Sequence, residues 1–427
     1  MDFVSVGGSV VICYDYCKET DDGMKVLFIA TVTEHINAFH LPYLKWFKGQ
    51  GWEIHVATHG DDDVLYCDKK HNISIERSPF RLGNIKAYFE LRSILKAEKF
   101  DIIHGHTPMG GMLARLCGKS YRKSGTRVIY TAHGFHFYKG ASLINWLLYY
   151  PIEKLLSRYT NDLININHED YDLAKRKMKA KRVHYVPGVG IDVEKLSITS
   201  VSQDACENSS LVASSKSSTL TLTSAKRREL NIPENATVLI SVGELNKNKN
   251  HRVAIEALAQ LKNDNLYYVI CGSGVLQEPL QSLAEKLQIQ ENVLFLGQRN
   301  DIAKLLHMSD IFVFPSLREG LPVSLMEAMA SGLPCIVSNI RGNTDLIKHE
   351  KGGLLCGAYT ANDATSSKDI SNKAASSSVT EYSEAIKLLI ADESLRQSMG
   401  KHNREVIKQF DINVVMKQMQ KIYLQSH

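Results

Sequence analysis

From Lys25 onward the chain repeats one pattern: a short, unbroken apolar run, then a polar-faced stretch with helical spacing. KVLFIAT (25–31), EIHVAT (53–58), DIIHGH (101–106), RVIYTAH (127–133), DLININ (162–167) and RVHYVP (182–187) are continuous rather than alternating in polarity. A strand reads this way when both faces of its sheet are covered, as in a parallel sheet wrapped by helices. Helices are expected between these runs, including 84–98, 109–121, 143–158 and 168–178, which makes a doubly wound α/β half. The pattern then starts again with TVLISVG (237–243), LYYVICG (266–272), VLFLG (293–297), DIFVFPS (310–316), PCIVSN (334–339) and GGLLC (352–356). A chain of 427 residues has room for two such cores of about 200 residues each. Two doubly wound, Rossmann-like domains in tandem bring two sets of strand carboxyl ends around one central cleft, where open α/β sheets bind ligands.

Three segments break the rhythm. Residues 1–23 are expected to be a disordered N-terminal extension, since VSVGGSVVICY (4–14) lacks the basic leader of a signal peptide. Residues 197–235 are expected to be an insertion and linker; the part up to 225 is Ser/Thr-rich, with little to bury. Residues 360–378, rich in Ser, Ala and Asn, are expected as a surface-loop insertion. The domains are therefore set at 24–196 and 236–410. A C-terminal helix over 411–427 is expected to pack back on the body.

Composition narrows the class. The chain is 44% apolar and 23% charged, as ordinary globular proteins are, and its net charge of +5 is too mild for a field-driven function. Eight cysteines occur with no CxxC pair, which argues against a structural zinc framework and fits a reducing, cytoplasmic compartment. No run of 18 apolar residues is present, so no membrane-spanning helix is expected. The aromatic and apolar segment 135–159 and the basic run KRKMKAKR (175–182) suit instead an acceptor cleft or peripheral contact with an anionic membrane. No recognition module for nucleic acid accompanies the basic run.

The most informative stretch is PSLREGLPVSLMEAMASGLP (315–334). It follows the strand DIFVF, so it begins at a strand's carboxyl end. Pro322 suits the first position of a helix that Gly332 can end. Amides of Gly320, Leu321 and Val323 would then face the cleft, and a helix N-terminus with about half a positive charge is ready to hold a diphosphate. Glu319 lies in the loop just before the helix and Glu327 inside it.

Glu319 and Glu327, seven residues apart in a strand–loop–helix, resemble the EX7E signature of retaining GT-B glycosyltransferases, especially family 4. HTPMGG (106–111), YTAHGFHFYKG (130–140), VPGVGID (186–192) and VGELNKNKNH (242–251) extend the resemblance over nearly the whole chain from Met24. It is closest to bacterial enzymes of capsule, exopolysaccharide and glycan assembly. The resemblance implies a GT-B fold and transfer of a hexose or N-acetylhexosamine from a nucleotide diphosphate sugar, by family habit a UDP-sugar. The acceptor would be a glycan or lipid-linked sugar, and the enzyme cytoplasmic, on the inner face of the plasma membrane when peripheral.

Position by position, Glu319 would bind donor-sugar hydroxyls and Glu327 the ribose, while residues from Gly320 through Leu321 and Pro322 to Val323 contact sugar and phosphates. Lys249 corresponds to the lysine that neutralises the diphosphate, and His133 to a histidine facing the donor sugar. Glu244 stands where the family often has arginine, with Lys247 as the candidate substitute. Arg299 aligns with the segment that receives the base. Gly272 and Gly274 would let the nucleotide approach closely, although GSGVLQ by itself is a poor dinucleotide fingerprint.

His104, His106 and His136 read as structural, and no histidine spacing specifies zinc. No metal cofactor is expected, because lysine and helix amides supply the charge at the diphosphate and Asp61–Asp63 reads as a solvated loop. Two other classes would suit the fold: an epimerase-like sugar-nucleotide enzyme, which needs paired acid/base residues in the cleft, and a catalytically silent sugar-binding subunit. The segment 315–334 argues against the first, and intact Glu319, Glu327, Lys249 and His133 against the second.

Overall fold

The computed structural model describes residues 23–197, 223–358 and 368–425. The expected extension up to residue 22, the Ser/Thr-rich stretch 198–222 and residues 359–367 lie outside the described residues. The first domain holds β1 (Lys25–Val32), β2 (Glu53–His59), β3 (Lys69–Asn72), β4 (Ile102–Gly105), β5 (Arg127–Ala132), β6 (Asp162–Asn165) and β7 (Arg182–Tyr185). These form one seven-stranded sheet in the order β3-β2-β1-β4-β5-β6-β7, every pair parallel. The second domain holds β8 (Thr237–Val242), β9 (Leu266–Cys271), β10 (Val293–Gly297), β11 (Ile311–Phe314), β12 (Cys335–Ser338) and β13 (Gly353–Cys356). Its order is β10-β9-β8-β11-β12-β13, again all parallel.

The unbroken apolar runs have the predicted cause. Every residue of β5, β6, β11 and β12 is buried, because helices cover both faces of each sheet. The strand order reverses between β1 and β4 in the first sheet and between β8 and β11 in the second. At these two switch points the neighbouring loops diverge and leave a crevice. β3, sequence KKHN, escapes an apolar-run search because it is a polar edge strand held by its backbone pairing to β2.

The helix Ile412–Leu424 leaves the second domain and packs on the first. Val415, Met419, Ile422 and Tyr423 join Val26, Phe28, Ile54 and Val56 in one core. Arg127 closes the helix end, donating to the carbonyl oxygens of Ile422 (2.8 Å), Tyr423 (2.7 Å) and Gln425 (2.7 Å), and to Asp162 (2.8 Å). A cation at a helix C-terminus satisfies carbonyls that have no partner within the helix.

Two expected irregular segments prove partly regular. Residues 223–229 are helical, and Arg227 donates to the carbonyl oxygens of Met308, Glu234 and Ala236, so this end of the expected 197–235 linker belongs to the second domain's core. The expected 360–378 loop is helical from residue 368, in the helix Lys368–Ala391. The buried stripe Val379, Tyr382, Ile386 and Leu389 anchors that helix, and helical propagation extends it back to residue 368. Among the described residues no helix is long and apolar enough to cross a membrane.

Candidate active site

At the second domain's switch point, two loops are stapled side by side. Leu317 N–H donates to the Asn248 carbonyl (2.8 Å) and the Asn248 side chain to the Arg318 carbonyl (2.9 Å). This joins the loop after β8 to the loop after β11 and aims Lys249 at Glu319. Lys249 Nζ lies 2.8 Å from Glu319 Oε1 and 4.6 Å from the Phe314 ring centroid. The two side chains are 17% and 12% exposed, so the pair is largely desolvated yet still faces the cleft.

The helix Val323–Ser331 starts one residue later than predicted. Pro322 is its N-cap, with ψ of 122° keeping it extended, and Gly332 ends it in the left-handed region at φ 80°. The amides of Gly320, Leu321 and Val323 find no acceptor among the described residues. Gly320 has to be glycine, because a Cβ there would lie 2.0 Å from the carbonyl oxygen of His133 in the other domain. The domains therefore touch backbone to backbone beside the helix N-terminus.

One cavity of about 470 Å³ is lined by His35, His133, Lys249, Glu319, Glu327 and the backbone from Gly320 to Ser324. A second, of about 800 Å³, lies on the other side of Glu327 and is lined by Asn300–Lys304 and Val189–Asp192 among others. Both volumes fall in the range of small-molecule sites. Phe39, Val189, Val323 and Glu327 line both cavities, and of these four only Glu327 is ionisable. Its carboxylate has no hydrogen-bond partner among the described residues, and burial pushes its pKa up from 4.5 to about 7.

Across the cleft, burial holds His133 at a pKa of about 3, with neighbouring His35 and His104 adding to the effect. His133 is therefore neutral. His35 is held down to about 4 for the same reason. Behind these two, His40 and His106 complete a group of four imidazoles whose ligand atoms all lie within 4.8 Å of one another.

The structure thus brings Glu319, Lys249, His133, Glu327, Gly320, Leu321, Pro322 and Val323 to one cavity. Four other expected residues stand apart. Lys247 is exposed and lines neither cavity, because the loop turns it outward while Lys249 turns in. The Arg299 guanidinium is committed to Asp301 at 2.7 Å through two bonds, leaving 300–304 rather than its side chain at the cavity. Room made by Gly272 and Gly274 is taken by the chain itself: their Cβ atoms would lie 2.0 Å from the Gly243 oxygen and 2.5 Å from the Leu245 oxygen. These glycines let the loops after β8 and β9 pack together.

A second contact between domains was not foreseen. Arg341, buried in the second domain, pairs with buried Asp170 of the first and donates to the Phe135 carbonyl, with its guanidinium 4.5 Å over the Tyr138 ring. Burial raises the Asp170 pKa while Arg341 opposes the rise. Asp345 adds an interdomain bond by accepting from His168 N–H at 2.8 Å.

Two family models match the chain: "Glycosyl transferase 4-like" over residues 25–167 and "Glycosyl transferases group 1" over residues 223–373. The putative glycosyltransferase EpsD of Bacillus subtilis (strain 168) is 41% identical over 335 residues, 78% of this chain and 83% of that protein. The UDP-Gal:alpha-D-GlcNAc-diphosphoundecaprenol alpha-1,3-galactosyltransferase of Escherichia coli is 32% identical over 282 residues, 64% of this chain and 67% of that protein. The crystal structure of Anabaena Alr3699/HepE in complex with UDP matches at a TM-score of 0.71 and 16% identity, covering 94% of this chain and 99% of that one, a likeness of fold.

Proposed function

The chain is a GT-B glycosyltransferase belonging to the group 1 glycosyl transferases, and from that premise we propose that it moves a hexose or N-acetylhexosamine from a UDP-sugar, with retention at the anomeric carbon, to a glycan or lipid-linked acceptor in cell-surface polysaccharide assembly. The observation that carries the reading is the pair of cavities meeting at Glu327. A nucleotide laid along them puts its base beside Asn300–Lys304 and its ribose at Glu327. Its diphosphate meets Lys249 and the free amides, and its sugar lies between Glu319 and His133.

In this reading the C1–oxygen bond of the donor breaks and its electron pair leaves on the β-phosphate. The acceptor hydroxyl attacks C1 from the same face and passes its proton to the departing phosphate oxygen. Negative charge grows on the diphosphate, and Lys249 with the amides of Gly320, Leu321 and Val323 meets it without a metal there. Donors fixed in place before reaction are commonly the largest catalytic contribution. Neutral His133 presents an imidazole to the sugar without competing for the diphosphate's counter-charge.

A lipid-linked acceptor is favoured by the helix Leu143–Ser157, whose Leu143 and Leu147 are 80% and 78% exposed. Phe80, Leu82 and Phe89 are also exposed, and Lys175, Arg176, Lys177, Lys179 and Lys181 add an exposed basic run. Exposed apolar side chains and clustered cations on one domain suit peripheral contact with an anionic leaflet. The acceptor for which the Escherichia coli relative is named, a diphosphoundecaprenol-linked sugar, supports the same class.

The test is a panel of sugar nucleotides incubated with and without diphosphoundecaprenol-linked sugars. Acceptor-stimulated release of UDP and an α-anomeric product from an α-linked donor are expected. An inverted anomer removes the retaining mechanism, and the absence of nucleotide release with every donor removes the proposal.

A further inference from the structure

We propose that His35, His40, His106 and His133 form a binding site for one divalent transition metal, zinc by its chemistry, on the first domain's side of the cleft. The four rings come from separate places in the chain. His35 and His40 lie in or at the end of the helix Thr33–Phe39 that follows β1, His106 follows β4, and His133 follows β5. These strands are neighbours at the first sheet's switch point, so their carboxyl ends deliver the imidazoles to one spot.

The geometry suits four nitrogen ligands. The six ring-centroid separations run from 3.8 Å (His40–His106) to 6.2 Å (His35–His106). With metal–nitrogen bonds of about 2.0–2.1 Å, tetrahedral imidazoles place their ligand nitrogens about 3.4 Å apart. The four ligand atoms lie within 4.8 Å of one another, so binding draws them together, while the His40 and His106 rings, 3.8 Å apart, separate to take their places.

The hydrogen-bond inventory points the same way. His35 Nε2, both ring nitrogens of His40, both of His106, and His133 Nε2 are buried without a partner among the described residues. His40 and His106 are each 1% exposed. Buried polar atoms are normally satisfied, and a concentration of exceptions calls for a missing ion or water. The adjacent His104 provides the contrast. Its ring centroid is 3.9 Å from that of His106, yet its two nitrogens are satisfied by Tyr423 and Thr131, each at 2.9 Å. A structural histidine in this core finds protein partners; the four do not.

The donor chemistry selects the ion. Four imidazoles, with no carboxylate in the group, suit zinc and its neighbours rather than magnesium or calcium, which take oxygen ligands. Because His35 and His133 line the cavity that also holds Glu319, the cleft is the entry path, and a bound ion would fix those two rings at its wall. The site is a positioning device of the first domain and does not depend on which sugar is moved.

The experiment uses the full-length chain. Metal is stripped with a chelator, zinc content is measured after reloading and gel filtration, and cobalt(II) is titrated into the stripped protein as a spectroscopic probe. One zinc per chain and the visible absorption of tetrahedral cobalt are expected. His40→Gln and His106→Gln should each weaken cobalt binding by more than the roughly 10–100-fold that loss of an outer partner costs. His136→Gln, whose ring stacks on Tyr149 outside the group, should leave it unchanged. A folded wild-type chain that binds neither zinc nor cobalt overturns the site, as does binding indifferent to both variants; water alone then fills the space. If the variants do not fold, X-ray absorption of the cobalt-loaded wild type decides: four imidazole nitrogens support the site, and a shell of oxygen or sulfur overturns it.

Discussion

Replacing Glu327 by Gln should make the protein more stable at alkaline pH and a poorer binder of UDP. In the folded chain the carboxyl group titrates at about 7, against 4.5 when unperturbed, and burial is the cause. A carboxyl with a raised folded pKa costs nothing well below pH 4.5, where both states are protonated. Its penalty grows as pH rises from 4.5 towards 7, because the unfolded chain ionises first, and is constant above. Linkage puts that penalty at about 1 kcal/mol at pH 5 and about 3 kcal/mol at pH 8. For cores of this size, Glu327→Gln should raise the melting temperature by about 2–4 °C at pH 5 and about 6–12 °C at pH 8. In the proposed donor pose, ribose hydroxyls donate to the ionised carboxylate and offset this cost when UDP is bound. Losing a hydrogen bond to a charged group should weaken UDP binding by about tenfold or more at pH 8. Melting curves of both proteins at the two pH values, with and without UDP, measure each part. Identical pH dependence of the two melting temperatures would refute the burial argument, and undiminished stabilisation of the variant by UDP would refute the ribose contact.

Lys249→Ala should lower kcat by about 10²–10³-fold, as loss of an oxyanion-stabilising donor does, while Glu319→Ala should reduce turnover with little change in UDP affinity; steady-state kinetics beside UDP titration calorimetry separates them, and wild-type kinetics in either variant would sink its assignment. If Lys249 and the helix amides supply the diphosphate's counter-charge as proposed, added magnesium or manganese should not raise the transfer rate of the zinc-loaded enzyme; a strict requirement for either hard cation would contradict this. Arg341→Met leaves Asp170 buried without its partner and should cost about 3–5 kcal/mol in urea unfolding, with much of the loss recovered by adding Asp170→Asn. A single-variant loss below about 0.5 kcal/mol would show that the interdomain pair does not matter.

The parallel sheets and the Glu319–Glu327 segment were legible in the sequence because each depends on residues close together along the chain. An unbroken apolar run reports burial on both faces, and a strand followed by Pro322 and a helical stretch sets where free amides must lie. Other features had no such local signature. Lys247 and Lys249 are equivalent by composition, and the loop's path alone turns one into the cleft and the other to solvent. Gly272 and Gly274 suggested room for a nucleotide, but the space is filled by a loop whose approach depends on the pairing of β8 with β9.

Local order of the chain therefore determined which segments become the buried strands, which helix opens on the cleft, and which carboxylates sit at its mouth, while the polar edge strand β3 needed its pairing to β2. Tertiary structure alone decided that Arg341 meets Asp170 across the two domains and that His35, His40, His106 and His133 converge. Their separation along the chain carries no metal-site spacing, and strand order in the folded sheet sets their distance. Burial, which takes away the water each ring would otherwise bind, leaves their nitrogens without partners.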